Sequence, residues 1–386
     1  MDLVGMSPTF MSPRPLKLAV LIGTRPEAIK LAPVILRARE QPDDFSVRVI
    51  RTGQHRELVD QLMAEFAIRA DVDLKVMQRN QSLADLMAQC VRGLTELLSA
   101  DRPDWTLVQG DTTTTFAGAL AAFYNHVRLG HVEAGLRTNN RHSPFPEEAN
   151  RAMTACVADL HFAPTEQARR NLLRQGIAAD DIFVTGNTGV DALTHALGHA
   201  PGTAAAAQGG APYVLVTAHR RENHGAPLQH ICDGIAALLE RHPEVTAWIP
   251  MHPSPVVRRV WVSRLGAHER VRLTEPLGYI DFIRALHGAA LVLTDSGGVQ
   301  EECATLGKPV LVLRADTERP EAVDAGVAAL VGTDAGQIVE VASRLLAEPE
   351  CYRAMAHATQ VFGEGSASVQ ILDALKASRY NAVALA

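Results

Sequence analysis

Cysteine is scarce in this chain. Five residues, Cys90, Cys156, Cys232, Cys303 and Cys351, are spread over 386 positions, an odd number with no C-x-x-C pair. That excludes a disulfide framework and a cysteine zinc site, and points to core thiols in a reducing compartment, the cytoplasm. Long apolar runs are also missing, since none approaches the roughly 18 residues of a membrane span. Positive charge is in deficit, with a net charge of −6, which argues against a nucleic-acid surface. There is no G-x-G-x-x-G after the first strand-like run, no Walker lysine motif, no G-x-S-x-G elbow and no H-E-x-x-H. Nicotinamide, ATP, serine-hydrolase and zinc-protease readings each lose their signature, so no cofactor and no metal are expected. Residues 1–15 lack the charged-then-apolar pattern of a signal segment and read as a disordered leader.

What is present is alternation. With 47% hydrophobic residues the chain can fill two cores. Apolar runs at residues 16–22, 47–52, 105–109, 127–132, 160–163 and 182–185 are separated by amphipathic stretches such as 26–39 and 147–158. Residues 198–212, rich in Gly, Ala and Pro, interrupt the pattern. It restarts at 213–217, 245–250, 271–274, 290–293, 309–313 and 328–331. This predicts an α/β protein of two Rossmann-like domains, 16–197 and 213–374, with parallel sheets facing a central cleft. Residues 375–386 are expected to be a tail, and the final helix is expected to pack back on the N-terminal domain.

Polar clusters fall just after strand-like runs. Gly110-Asp111-Thr112 follows one, Glu133-Ala134-Gly135 another, and His219-Arg220-Arg221 a third, while Pro146-Glu147-Glu148 opens a helix. Strand ends gather in the cleft whatever their sequence separation. Asp111, Glu133, Glu147 and His219 therefore form a set able to do acid–base work. Each has a plainer reading: Asp111 as a helix N-cap, Glu147 as a partner of the helix dipole, His219 as a core histidine. Their joint occurrence favours a site. The run 290–293 leads into Ser296-Gly297-Gly298 and then a helix opening with Gln300, Glu301 and Glu302. Such a turn is an anion cradle, because glycines admit a ligand and the helix's first amides point outward. Gly23-Thr24-Arg25-Pro26-Glu27, after the first run, is expected to be a second one.

These motifs together resemble one family, the bacterial non-hydrolysing UDP-N-acetylglucosamine 2-epimerases. The resemblance runs from about residue 16 to about residue 374. It rests on G-T-R-P-E-A-I-K (23–30), G-Q-H-R-E (53–57), G-D-T-T-T (110–114), H-V-E-A-G-L-R-T (131–138), P-F-P-E-E-A-N-R (144–151), T-A-H-R-R-E-N (217–223), T-D-S-G-G-V-Q-E-E (294–302) and T-E-R-P-E (317–321). It implies the GT-B fold, UDP-N-acetylglucosamine and UDP-N-acetylmannosamine as ligands, and a homodimer, for which the apolar stretch 83–98 is a candidate helix. It also implies that Arg25 and Lys30 lie at the first anion turn, near the catalytic centre, and that Ser296, Gly297 and Gly298 hold the diphosphate. Glu302 would meet the ribose, Arg319 the phosphates or sugar, and Phe282 the uracil. Asp111, Glu133 and Glu147 match the family's acid–base carboxylates, and His219 would lie near the phosphates. The implied route expels UDP to leave a 2-acetamidoglucal and then adds it back, supplying surface polysaccharide synthesis.

Two departures stand out. Many family members carry a regulatory UDP-sugar site built on Gln-His-Arg-Gln and Asp-Arg-Gln stretches. Here Gln54 and His55 are followed by Arg56-Glu57, and the later stretch reads Arg79-Asn80-Gln81. Weak or absent sigmoidal kinetics are expected. Leu277 stands where a polar residue is common, so that contact is expected to be lost or taken over by backbone. The alternatives are a GT-B glycosyltransferase, which needs an acceptor, the hydrolysing 2-epimerase, which releases free sugar, an epimerase of a modified UDP-sugar, and a non-catalytic nucleotide-sugar sensor.

Overall fold

The computed structural model describes residues 14–53, 56–78, 81–198 and 210–383, which form two parallel sheets. The first contains β1 (Leu16–Ile22), β2 (Phe45–Arg51), β3 (Val72–Asp73), β4 (Trp105–Gln109), β5 (Arg128–Val132), β6 (Leu160–Ala163) and β7 (Ile182–Val184). The second contains β8 (Tyr213–Thr217), β9 (Thr246–Pro250), β10 (Val271–Thr274), β11 (Leu291–Thr294), β12 (Val310–Val312) and β13 (Ala328–Leu330). Their orders are β3-β2-β1-β4-β5-β6-β7 and β10-β9-β8-β11-β12-β13.

Parallel pairing forces a crossover after each strand, and the crossover helices cover both faces. The central strands are accordingly apolar almost throughout: in β1 only Lys17 is exposed, and β11 and β12 are wholly buried. β3 escaped the sequence pattern because it is two half-buried residues at the sheet edge, paired to Ile50 and Arg51. Strand order reverses between β1 and β4 in one sheet and between β8 and β11 in the other. At such switch points the loops leaving the strand ends diverge and open a crevice. The turns after β1, β4, β5, β8 and β11 carry the polar clusters, so the topology alone brings them to one cleft. This is the GT-B arrangement.

Four local outcomes differ from expectation. The helix after β11 begins at Gly297, so both glycines lie inside it and Ser296 is its N-cap. The helix beginning at Glu147 ends at Ala155, because the Thr154 carbonyl takes the amides of Val157 and Ala158 and turns the chain towards β6. The last helix, Ala367–Val383, runs on past residue 374. It packs on the N-terminal domain. Asp191 accepts the amides of Ala367 and Ser368 and the Ser368 hydroxyl at 2.6 Å, while Lys376 reaches Gln41 and Asp44. Arg14, within the stretch expected to be disordered, is tied to Asp104 by two 2.7 Å bonds. Among the described residues no helix is long and apolar enough to cross a membrane.

Candidate active site

β1 ends at Ile22, and the chain turns through Gly23 and Thr24 into helix Arg25–Arg39. Crowding demands the glycine, since a Cβ there would lie 2.0 Å from Thr114 Oγ1 and 2.8 Å from Thr52 Oγ1. This turn is not an open cradle. One oxygen of the buried Glu27 carboxylate accepts the amides of Gly23 at 2.8 Å and Thr24 at 2.6 Å. The other accepts the hydroxyls of Thr112 at 2.6 Å and Thr115 at 3.0 Å. The chain has filled its own anion site, using the acidic residue three positions after the N-cap. Lys30 does not serve an anion there either, because its ammonium pairs with Glu133 and, at 3.1 Å, with Glu301. Arg25 does reach the cleft and donates to the Leu277 carbonyl at 3.1 Å, so the backbone takes part where the Leu277 side chain cannot. Burial lowers the pKa of Arg25, opposed by Glu302 and Glu65.

After β4 comes Asp111. It is Thr112 that caps helix Thr113–Tyr124, accepting the Thr115 amide at 3.2 Å. The Asp111 carboxylate is thus released from capping and pairs with Arg151, whose other arm holds Glu148 at 3.2 Å. Asn150 fixes the Asp111 carbonyl at 3.0 Å. Glu148 serves the loop as an acceptor for the Thr138 and Asn139 amides. Glu147 beside it is half-buried, and burial together with the nearby Asp111 charge pushes its pKa up.

Glu133 lies just past β5 at φ +61°, a left-handed conformation uncommon for a residue with a side chain. Lys30 and Gln109 donate to it, as do Asn187 at 3.0 Å and Arg319 at 3.3 Å. Burial alone would raise its pKa, but Lys30 and Arg319 override that and hold the carboxyl below its ordinary range. Arg319 also binds Glu301 through Nε at 2.7 Å. A Cβ on Gly297 would come within 3.2 Å of the Arg319 guanidinium carbon, so this glycine makes room for an arginine. Lys30 and Glu133 come from the first domain, Arg319 and Glu301 from the second. The Lys30–Glu301 and Arg319–Glu133 pairs therefore bridge the cleft.

On the C-terminal side His219 stacks on His252, with ring centroids 5.0 Å apart and planes 4° from parallel. Asp295, fully buried, collects the His219 amide at 2.8 Å, the Arg220 amide at 2.9 Å and the Asn223 side chain at 2.9 Å. Burial lowers the pKa of His219, with Asp295 opposing. Helix Gly297–Leu306 follows. No side chain caps it, its first turn holds no acidic residue, and a Cβ on Gly298 would meet nothing within 4 Å. Burial and the neighbouring Glu301 push the Glu302 carboxyl up to about 7. Phe282, on helix Tyr279–Gly288, packs half-buried against the main core. Glu65 of the first domain caps that helix, accepting the Tyr279 amide at 2.8 Å and the Ile280 amide at 3.2 Å.

The family model described as UDP-N-acetylglucosamine 2-epimerase matches residues 37–376. The UDP-N-acetylglucosamine 2-epimerase of Bacillus subtilis (strain 168) is 47% identical over 361 residues, or 93% of this chain and 95% of that one. The chain belongs to the UDP-N-acetylglucosamine 2-epimerase family. A crystal structure of the Neisseria meningitidis UDP-GlcNAc 2-epimerase bound to UDP-GlcNAc is similar at a TM-score of 0.89 and 44% identity, covering 93% of this chain and 99% of that one. The Methanocaldococcus jannaschii UDP-GlcNAc 2-epimerase, in complex with UDP-GlcNAc and UDP, is similar at a TM-score of 0.82 and 33% identity, covering 93% and 99%.

In this 2-epimerase family member the fold thus sets Asp111, Glu133, His219 and the Ser296 turn just past strand ends, and Arg25, Glu147 and Arg319 at helix starts. The regulatory candidates Gln54 and His55, like Arg79 and Asn80, lie outside the described residues. Several partners were not singled out from sequence: Glu27, Gln109, Arg151, Asn187, Asp295 and Glu301. Glu27, Arg151, Asp295 and Glu301 stand inside the motifs given above, so their neighbours were the signal. Asn187 follows β7 as the other polar groups follow their strands, but with no companion residue to mark it.

Proposed function

We propose that this family member interconverts UDP-N-acetylglucosamine and UDP-N-acetylmannosamine by inverting C2 without hydrolysis, supplying surface polysaccharide synthesis. The observation that carries the reading is the convergence of three carboxyl groups, in unlike electrostatic settings, on a cleft whose opposite wall presents an uncapped helix start free of acidic residues.

The chemistry requires that contrast. The C2 hydrogen has no neighbouring carbonyl and is not acidic. Breaking the C1–O bond to UDP while a base removes the C2 proton gives a 2-acetamidoglucal. The proton returns to C2 from the other face, and UDP re-adds at C1, so nothing is consumed. Glu133, kept ionised by Lys30 and Arg319, suits proton acceptance, and Glu147, with its raised pKa, suits donation. Asp111 belongs to the same set and sets the charge near Glu147. Leaving UDP builds negative charge on phosphate. The amides of helix 297–306, with Arg25 and His219, would stabilise it, and Arg319 would shift between the two carboxylates and the phosphates or sugar. Glu302 would hold the ribose and Phe282 would border the uracil. The location we propose is the cytoplasm. The assembly we propose is a homodimer, supported by the exposed apolar residues Leu83, Phe123 and Tyr124 on helices Leu83–Asp101 and Thr113–Tyr124, which pack together. Light scattering checks it.

The test is to incubate the full chain with either UDP-sugar and separate the products by ion exchange. Approach to one equilibrium mixture from both sides, with no free sugar and no acceptor added, is the expected result. Accumulating N-acetylmannosamine plus UDP would replace the reading with the hydrolysing reaction. The variants Asp111→Asn, Glu133→Gln and Glu147→Gln should each lose turnover by about 100-fold or more while UDP binding is nearly kept. A velocity curve without sigmoidal character is expected.

A further inference from the structure

The mechanism above leaves one titratable side chain beside the catalytic carboxylates unused. His131 lies on β5, two residues before Glu133, and is fully buried. Its Nε2 is 2.7 Å from the carbonyl oxygen of Gly110, the residue before Asp111. A carbonyl oxygen only accepts, so the imidazole must carry its proton on Nε2 and donate it. Nδ1 is then the bare nitrogen, and it has no hydrogen-bond partner.

This bond spans the gap between two catalytic loops. Gly110 is at φ +72° and Glu133 at φ +61°, so both strands end in left-handed turns that aim the next side chain into the cleft. The Gly110 amide donates to the Val132 carbonyl at 3.0 Å, and its carbonyl accepts from His131. Both polar groups of Gly110 are therefore held by β5. One residue on, the Asp111 carbonyl is held by Asn150 and its carboxylate by Arg151. If the His131 bond is removed, the carbonyl of the Gly110–Asp111 peptide loses its tie to β5, and Asn150 and Arg151 alone are left to place Asp111 against Glu133. Near-attack geometry tolerates little drift there.

We infer that His131 is a positioning residue for the epimerisation, a neutral Nε2–H donor that fixes the Gly110–Asp111 peptide relative to Glu133. The inference rests on the function proposed above. The charged and titratable groups around the ring are Arg137, Glu133, Arg151 and His161, its register partner on β6. Burial, with the arginines, pushes the ring's pKa down to about 4, so it stays neutral where the reaction runs.

The experiment compares the full chain with His131→Leu and His131→Gln. Gln carries an amide donor at similar reach, whereas Leu fills the space without one. His131→Leu should lower kcat by about tenfold or more, with KM and UDP affinity within about twofold of the parent, and His131→Gln should regain most of the loss. A His131→Leu kcat within about twofold of the parent overturns the proposal, as does a His131→Gln defect equal to that of His131→Leu. Nitrogen-15 NMR of the parent's histidines supplies a readout free of activity. The Nε2–H tautomer of His131 at pH 7 is expected, and an Nδ1–H tautomer or an imidazolium overturns the proposal even if His131→Leu fails to fold. A parent with no epimerase activity would sink the proposed function, while the tautomer result would still decide whether His131 holds Gly110.

Discussion

The turn after β1 and the turn after β11 start from similar materials, a buried strand, glycine and a polar N-cap, and end with opposite fates. At the first, Glu27 swings its carboxylate onto the Gly23 and Thr24 amides and closes the site from within. At the second, Ser296-Gly297-Gly298-Val299-Gln300 supplies no carboxylate in the first turn, and the helix start faces the cleft without an internal anion. The difference is one acidic residue at the third helical position. A helix N-terminus is a structural joint or a ligand site according to whether the chain carries its own counter-anion there.

Removing the internal anion is the harshest way to break this contrast. Glu27→Ala strips the Gly23 and Thr24 amides and the Thr112 hydroxyl of their acceptor and should cost about 3–5 kcal/mol of stability in urea melts. It should not create a second UDP site, and parental stability would contradict the joint role. The converse change installs an anion where there is none. Gly298→Glu has open space for its side chain. It should weaken UDP binding by about 100-fold in calorimetry with little change in melting. Unaltered UDP affinity would mean that the diphosphate lies elsewhere.

The two halves should also differ in acid. His131 and His161 lie buried in the first sheet, their pKa values pushed down from 6.5 to about 4 and about 3, mainly by burial. Unfolded histidine takes up a proton near pH 6.5, whereas the folded rings wait until about 4 and about 3. Their contribution is therefore complete above pH 6.5 and is lost as pH falls through that window. Melts at pH 7 and pH 4.5 should differ by a few kcal/mol, with the first domain failing first. A smaller effect is expected from Arg319→Met. It leaves Lys30 as the one cation on Glu133, beside the neutral donors Gln109 and Asn187, so the Glu133 pKa should rise and the acid limb of the rate profile should move up by about one pH unit. The smallest comes from Ser296→Ala. The Ser296 side chain makes no cap bond, so stability should stay within about 0.5 kcal/mol.

Much of this is legible in the sequence. Apolar runs such as 16–22 and 105–109 became strands with those bounds, since a strand covered on both faces must be apolar along its length. The polar residues after them reached one cleft because parallel topology puts every strand's end on the same side. The self-filled turn was misread although Thr24-Arg25-Pro26-Glu27 spells a capping-box pattern, because a glycine turn after a strand is equally the mark of a phosphate site. The partners of Glu133 were out of reach. Gln109, Asn187 and Arg319 lie on different elements, and only the closed fold brings them to one carboxylate. The pairing of Lys30 is equally hidden in the motif that holds it, because its partners Glu133 and Glu301 are far away in sequence.

The most direct test of the central claim is proton NMR of the full chain with UDP-N-acetylglucosamine in deuterated water. Reversible elimination predicts UDP-N-acetylmannosamine with deuterium at C2, and deuterium entering the C2 position of the returning UDP-N-acetylglucosamine as well. Inversion without deuterium uptake, or an unchanged spectrum, would contradict proton exchange at C2 by the Asp111, Glu133 and Glu147 set.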